Sequence, residues 1–219
     1  MQCFINPEVH YMPTQKRNQI LSIILLVIGF VFLYNSLGNI SSLPKVFSQI
    51  DVLLKGIAFI LLSVAAIFAS ISFQNKLYVL LSSLFGLVIG FSFLYLPTPS
   101  FLSGSAFHIL FSSAIAFGMT TTAKRIAAAV SLVVVCLGIG FLYQTTSELL
   151  NNSALYLIIP GMIVFALAYS KKVICERISI MLIALGLISL CQPFLIVFYQ
   201  TGFQLLLGGL TGFIVVAHR

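Results

Sequence analysis

Apolar residues run along this chain in eight long stretches, separated by short polar breaks in which proline, asparagine and basic residues collect. The stretches occupy residues 19–37, 56–73, 77–96, 101–119, 126–143, 153–169, 178–197 and 202–217. A hydrocarbon core of about 30 Å needs around 20 helical residues to cross it. Lipid offers no partner to a bare N–H or C=O, so only helices or closed barrels span it, and continuous apolar runs lack the alternation of barrel strands. The pattern predicts an all-α, polytopic membrane bundle of eight transmembrane helices. The last run is the shortest. At 1.5 Å per residue it covers only about 24 Å, so it is expected to thin the bilayer, lean on neighbours or re-enter.

A ninth segment differs. Leu43, Val46, Phe47, Ile50, Leu53 and Leu54 fall on one helical face while Lys45, Ser48, Gln49 and Asp51 take the other. That amphipathicity predicts a short helix at 43–54 lying flat in the interface, started by Ser42 before Pro44. A connector that keeps its apolar face in lipid is the plainer meaning, and a functional lid the sharper one. Residues 1–18 hold Pro7 and Pro13 and end in basic residues, so they are expected to form an irregular leader outside the membrane. No small-residue cleavage site follows the first apolar run, which therefore reads as a retained span.

Composition strengthens this picture. Hydrophobic residues make up 60% of the chain and charged ones 7%, where a soluble domain needs roughly a quarter charged. The net charge of +7 is not a nucleic-acid signature here, because Lys and Arg sit in short runs between spans. On one side of the expected bundle fall Lys16, Arg17, Lys76, Lys124, Arg125, Lys171, Lys172, Arg177 and Arg219; on the other only Lys45 and Lys55. That asymmetry places both termini in the cytoplasm of a plasma or bacterial inner membrane, in agreement with an even number of spans. Tyr34, Tyr95, Tyr143, Tyr156 and Tyr199 then gather at the outer ends as an aromatic belt. The four cysteines are scattered singly and suggest neither a metal site nor a disulfide.

The two halves of the chain resemble each other. Gly29, Phe32, Leu33 and Tyr34 recur at constant offset as Gly138, Phe141, Leu142 and Tyr143; Gly86-Leu87 recurs as Gly186-Leu187, and Ser103-Gly104 is matched by Thr201-Gly202. The expected organisation is a leader (1–18), a first four-helix half (19–119), a central cytoplasmic loop (120–125) and a second half (126–219). Four spans per half make the repeat parallel, with its axis along the membrane normal.

Candidate chemistry is sparse. The four carboxylates, Glu8, Asp51, Glu148 and Glu176, all fall outside the spans, which argues against a carboxylate-driven pump and removes triads and most metal sites from the membrane. His108 is the exception. Counting by four gives Gly104, His108, Ser112 and Ala116 on one helical face, with Ser105 and Ser113 beside it. Such a stripe must face other helices or water. The imidazole then either contacts solute or a proton, or, as the plainer reading, bonds a serine or a carbonyl across an interface. Gln192-Pro193 and Pro160-Gly161 free backbone carbonyls within spans seven and six. The candidate solute or proton contacts are therefore His108, Ser105, Ser112, Gln192 and Pro160, with no catalytic residue and no metal ligand. No cofactor is implied, since His10 and His218 lie in the tails and cannot pair across spans for haem. The expected partners are the lipid bilayer and further membrane subunits or copies of the chain, not nucleic acid. Three function classes follow: a small permease or channel for a neutral or weakly polar solute, favoured; an accessory or scaffold subunit of a larger membrane complex; and, least favoured, a membrane enzyme.

Overall fold

A computed structural model describes residues 8–38, 45–96, 98, 100–144, 147–192 and 196–219. Among these the elements are helical throughout: α1 (Glu8–Gly38), α2 (Lys45–Ser72), α3 (Lys76–Tyr95), α4 (Ser100–Thr120), α5 (Lys124–Leu142), α6 (Glu148–Ala168), α7 (Lys172–Leu190) and α8 (Ile196–Ala217). Helices α1 to α7 each contain a stretch long and apolar enough to cross a membrane, while the apolar part described in α8, Thr201–Ala217, is shorter. Large apolar side chains cover the outside of the bundle, with Phe85 67% and Ile126 68% exposed. Water would not tolerate so continuous an apolar surface, whereas lipid suits it, and the protein has the build of an integral multi-pass membrane protein.

Three helix boundaries differ from the hydropathy pattern. α1 starts at Glu8 and continues through Pro13, where an irregular leader was expected. The amphipathic stretch does not form a separate short helix, because Lys45–Ser72 is one helix of 28 residues, about 42 Å long, that runs through Gly56 without a break. α8 starts at Ile196 and has 22 residues, about 33 Å, so Gly202 lies inside a helix and not at its edge. Gly202 serves close packing there, since a methyl on it would lie 2.9 Å from the carbonyl oxygen of Gly186.

The helices pair as consecutive hairpins, α1 with α2, α3 with α4, α5 with α6 and α7 with α8. The even members then line up as α2, α4, α6, α8, each touching the next. α6 stands in the middle of this row. Every residue from 158 to 166 on it is buried, as expected of a helix that is apolar on all sides and has neighbours on all sides. Its Ile159, Ile163 and Phe165 join Ala114 of α4, Ala127 and Ala128 of α5 and Val216 of α8 in the largest core cluster. Small residues set these approaches: Gly90 of α3 faces Leu110 of α4, Gly118 of α4 faces Leu167 of α6, and Gly208 of α8 faces Ile158 of α6.

One end of the bundle carries the basic residues, and two of them satisfy helix termini. The last carbonyls of α2 accept hydrogen bonds from Gln15 and Gln19 at Ser72 (3.0 Å each) and from Lys76 Nζ at Ser70 (2.5 Å). Those of α6 accept from Arg219, at Ala166 (2.8 Å) and at Tyr169. A cation at a helix C-terminus both fills an orphan acceptor and complements the helix dipole. α4 ends on its own resources, with Thr120 Oγ1 bonded to Ala116 O at 2.6 Å. The short connection before α3 is capped by Asn75, whose side chain accepts from Leu77 N at 3.1 Å.

Candidate functional site

α4 carries a stripe of polar and small residues that includes a histidine, and the structure gives the members of that stripe different neighbours. Ala116 is buried beside Ala66 of α2 and Val79 of α3. Ser112 sends its hydroxyl to the carbonyl of His108 at 2.9 Å and lines a cleft. His108 turns to α2. Its ring meets Phe59 edge-on at 5.8 Å and Phe107 at 6.4 Å, and the backbones of Lys55 and Gly104 lie beside it. Its Nδ1 is buried with no hydrogen-bond partner, and of the two expected partners, a serine or a carbonyl across the interface, the ring meets a carbonyl, that of Lys55 on α2. Ser105, buried, bonds its own helix at Leu102 O, 2.7 Å.

The cleft lies between the first hairpin and the second and follows α3 from Val79 to Phe93. It has a volume of about 370 Å³, and Ser82 and Ser83 of α3 oppose Leu62 and Ala66 of α2 across it, with Ser112 and Ser113 of α4 at its floor. α2 and α3 scarcely touch although they follow each other in sequence, which is why the space exists. Ser82 and Ser83 donate to the carbonyls of Val79 (3.0 Å) and Leu80 (2.7 Å), leaving their oxygens able to accept. Ser113 makes no hydrogen bond among the described residues and stands directly over Gly86. No Asp, Glu, Lys, Arg or His lines the cleft.

At the end of the bundle opposite the basic residues a polar recess of about 770 Å³ opens between α4 and α6. Ser103 and Gly104 form one wall; Glu148, Asn152 and Tyr156 form the other. The three α6 residues recur every fourth position, a stripe that sequence inspection could have found but passed over, because Glu148 was weighed only as a charge outside the spans. Tyr156 closes the recess inward by packing edge-on against Phe107 at 5.8 Å. It thus points into the bundle, unlike Tyr34, Tyr95, Tyr143 and Tyr199, which are exposed as a belt would be. Behind it Phe59 and Phe111 pack at 4.5 Å with their rings tilted by 54°, so aromatic rings separate the recess from the interior.

The remaining sequence candidates lie apart. Pro160 is buried within α6 and, with Gly161, borders a separate apolar pocket of about 250 Å³ reached by Leu87, Phe117 and Val130. Gln192 is exposed just beyond α7, its backbone N–H bonded to Ser189 O at 3.4 Å; Pro193 lies outside the described residues. Only Ser112 of the five candidates lines the serine cleft, and His108 adjoins it through the backbone bond to Ser112. Compared with protein-family models, curated proteins and solved structures, the chain matches none.

Proposed function

We propose that this protein is a small permease or channel for a neutral or weakly polar solute, with α8 completing eight spans and the basic end in the cytoplasm. The observation that carries the reading is the cleft in which Ser82, Ser83, Ser112 and Ser113 stand among apolar side chains, with no Asp, Glu, Lys, Arg or His around it. Hydroxyl oxygens there can exchange hydrogen bonds with a solute that sheds its water. A charged solute would enter without a counter-charge at the depth where charges cost most.

A parallel duplication of four spans supports the same reading. Leu33, Ala58 and Leu62 form one buried cluster between α1 and α2, and Leu142, Ala154 and Ile158 hold the corresponding places between α5 and α6. Gly29 abuts Leu62 as Gly138 abuts Ile158. The later hairpins depart from that register, because Gly86 faces Ser113 whereas Gly186 faces Gly202 and Leu206.

Reconstitution into liposomes tests the proposal. Osmotic steps with small neutral solutes should relax faster than in protein-free liposomes, steps with a monovalent salt should not, and Ser112→Leu, which fills the cleft, should remove the difference while the protein stays folded. Relaxation no faster than in empty liposomes for every neutral solute overturns it. One observation favours an accessory-subunit reading instead: the cleft opens sideways between α2 and α3, where an apolar helix of another subunit would fit. Co-purification of a stoichiometric second membrane protein from native membranes distinguishes the two.

A further inference from the structure

The basic end of the bundle holds a groove that the proposed solute path does not use. Its floor is the end of α6, where Phe165 and Tyr169 stack at 5.4 Å. One wall is the first two turns of α5, with Ala128, Ala129 and Leu132 presenting an apolar surface. Lys124, Arg125 and Lys171 stand at the mouth, and the groove encloses about 780 Å³.

Three cations at one groove repel one another, and each would ordinarily find a carboxylate. None of the three is in an ion pair or side-chain hydrogen bond among the described residues. The nearest acid in sequence to Lys171, Glu176, is instead 4.0 Å from Lys172. The charges also stand at the wrong helix ends for self-compensation. α5 and α7 both begin here, and neither first turn receives a side-chain cap, Ala123 and Lys171 occupying those positions. Cations at a helix N-terminus oppose its dipole, whereas an anion would satisfy the dipole, the free N–H groups and the three side chains together.

We infer that this groove binds an anionic glycerophospholipid, its phosphate held by Lys124, Arg125 and Lys171 and one acyl chain laid along Ala129 and Leu132. The lower half of the groove explains why the ligand is a lipid and not a free anion. Ala129 and Leu132 continue it from the charged mouth along α5 as an apolar surface, in the direction an acyl chain takes from a headgroup. Basic pockets between helices at this depth hold anionic headgroups by the same arrangement, and Tyr169 sits at the level where tyrosine favours the interface. The inference rests on membrane insertion and is independent of whether a solute passes through the cleft.

The chain contains no tryptophan, so one introduced residue gives an unambiguous optical probe. Leu132→Trp places it in the groove, and Phe85→Trp places it on α3, exposed and at the border of the serine cleft but outside the groove, as a control. Each full-length protein is reconstituted into phosphatidylcholine vesicles containing, at equal mole fraction, either acyl-brominated phosphatidylglycerol or acyl-brominated phosphatidylcholine. Brominated phosphatidylglycerol should quench the groove probe in preference to its neutral counterpart, and Lys124→Gln, Arg125→Gln and Lys171→Gln should each lower that preference about fivefold. The Phe85→Trp probe should show no such preference. Equal quenching of the groove probe by the two lipids overturns the inference. So does an equal preference at both probes, which would mean general attraction to a basic surface. Loss of the preference on adding inorganic phosphate overturns the lipid as ligand and assigns the site to free anions.

Discussion

Gly186 approaches Leu206 so closely that a methyl group in its place would lie 2.6 Å from the Leu206 backbone nitrogen. The α7–α8 hairpin is therefore joined backbone to backbone, and an alanine can be accommodated only by moving a helix. Gly186→Ala should lower stability by about 1–3 kcal/mol, read as a lower unfolding midpoint in detergent. Gly140→Ala, with nothing within 4 Å of the added carbon, should change it by less than about 0.5 kcal/mol. Equal midpoints for the two variants would mean that this hairpin yields where its geometry says it cannot.

His108→Phe should change stability by less than about 1 kcal/mol, because it removes a buried nitrogen with no partner together with the ring's bond to the Lys55 carbonyl, and sets a phenyl ring beside Phe59 and Phe107. Solute flux in liposomes should fall by less than about a factor of two, or about 0.4 kcal/mol, since His108 does not line the cleft. A large loss of flux at full stability would put the imidazole back on the path.

Arg219→Gln should destabilise the bundle by about 1 kcal/mol, the worth of a hydrogen bond at a partly exposed site, because the last carbonyls of α6 lose their donor. Arg219→Lys, which keeps the charge but not the fork, should recover part of that loss. If Arg219→Gln unfolds at the same temperature as the parent, water serves those carbonyls equally well.

Reporter fusions after Asn75, Thr122 and Arg219 should all report cytoplasm, and those after Thr98 and Gln144 the other side. The expectation follows from the crowding of basic residues at one end of the bundle. A reporter after Arg219 found outside would show that α8 does not cross.

The eight apolar helices were legible in the sequence because each apolar run is long and the breaks between runs are polar, whereas the separate short helix expected at 43–54 is part of α2. The ends at Glu8, Lys45 and Ile196 were not legible, since hydropathy registers the solvent a residue prefers and says nothing of whether the backbone stays helical beyond that solvent. Residues 45–55 are polar on one face yet continue α2 without interruption. At the candidate site the spacing of small and polar residues pointed to α4, which borders the cleft through Ser112 and Ser113. It could not show that His108 would turn to Phe59 while Ser112 met a cleft shared with Ser82 and Ser83, because which helix faces which is decided by packing across distant segments. The groove around Lys124, Arg125 and Lys171 was hidden for the same reason, its charges having been counted only for what they say about orientation.

Pairing by consecutive hairpins also shapes how the chain can assemble. Each of the four principal pairs closes over a short connection or, for α1 and α2, one of modest length, so most of the contact surface forms between near neighbours in the chain. The loop entropy of such closures is small, and formation of local contacts is fast. What is left to a later stage is the docking of finished hairpins along three seams, α2 to α4, α4 to α6 and α6 to α8. Because α4 and α6 each take part in two of those seams, the last hairpin has nowhere to dock until α6 is in place, and the order in which helices leave the ribosome places that moment after more than two thirds of the chain has been made.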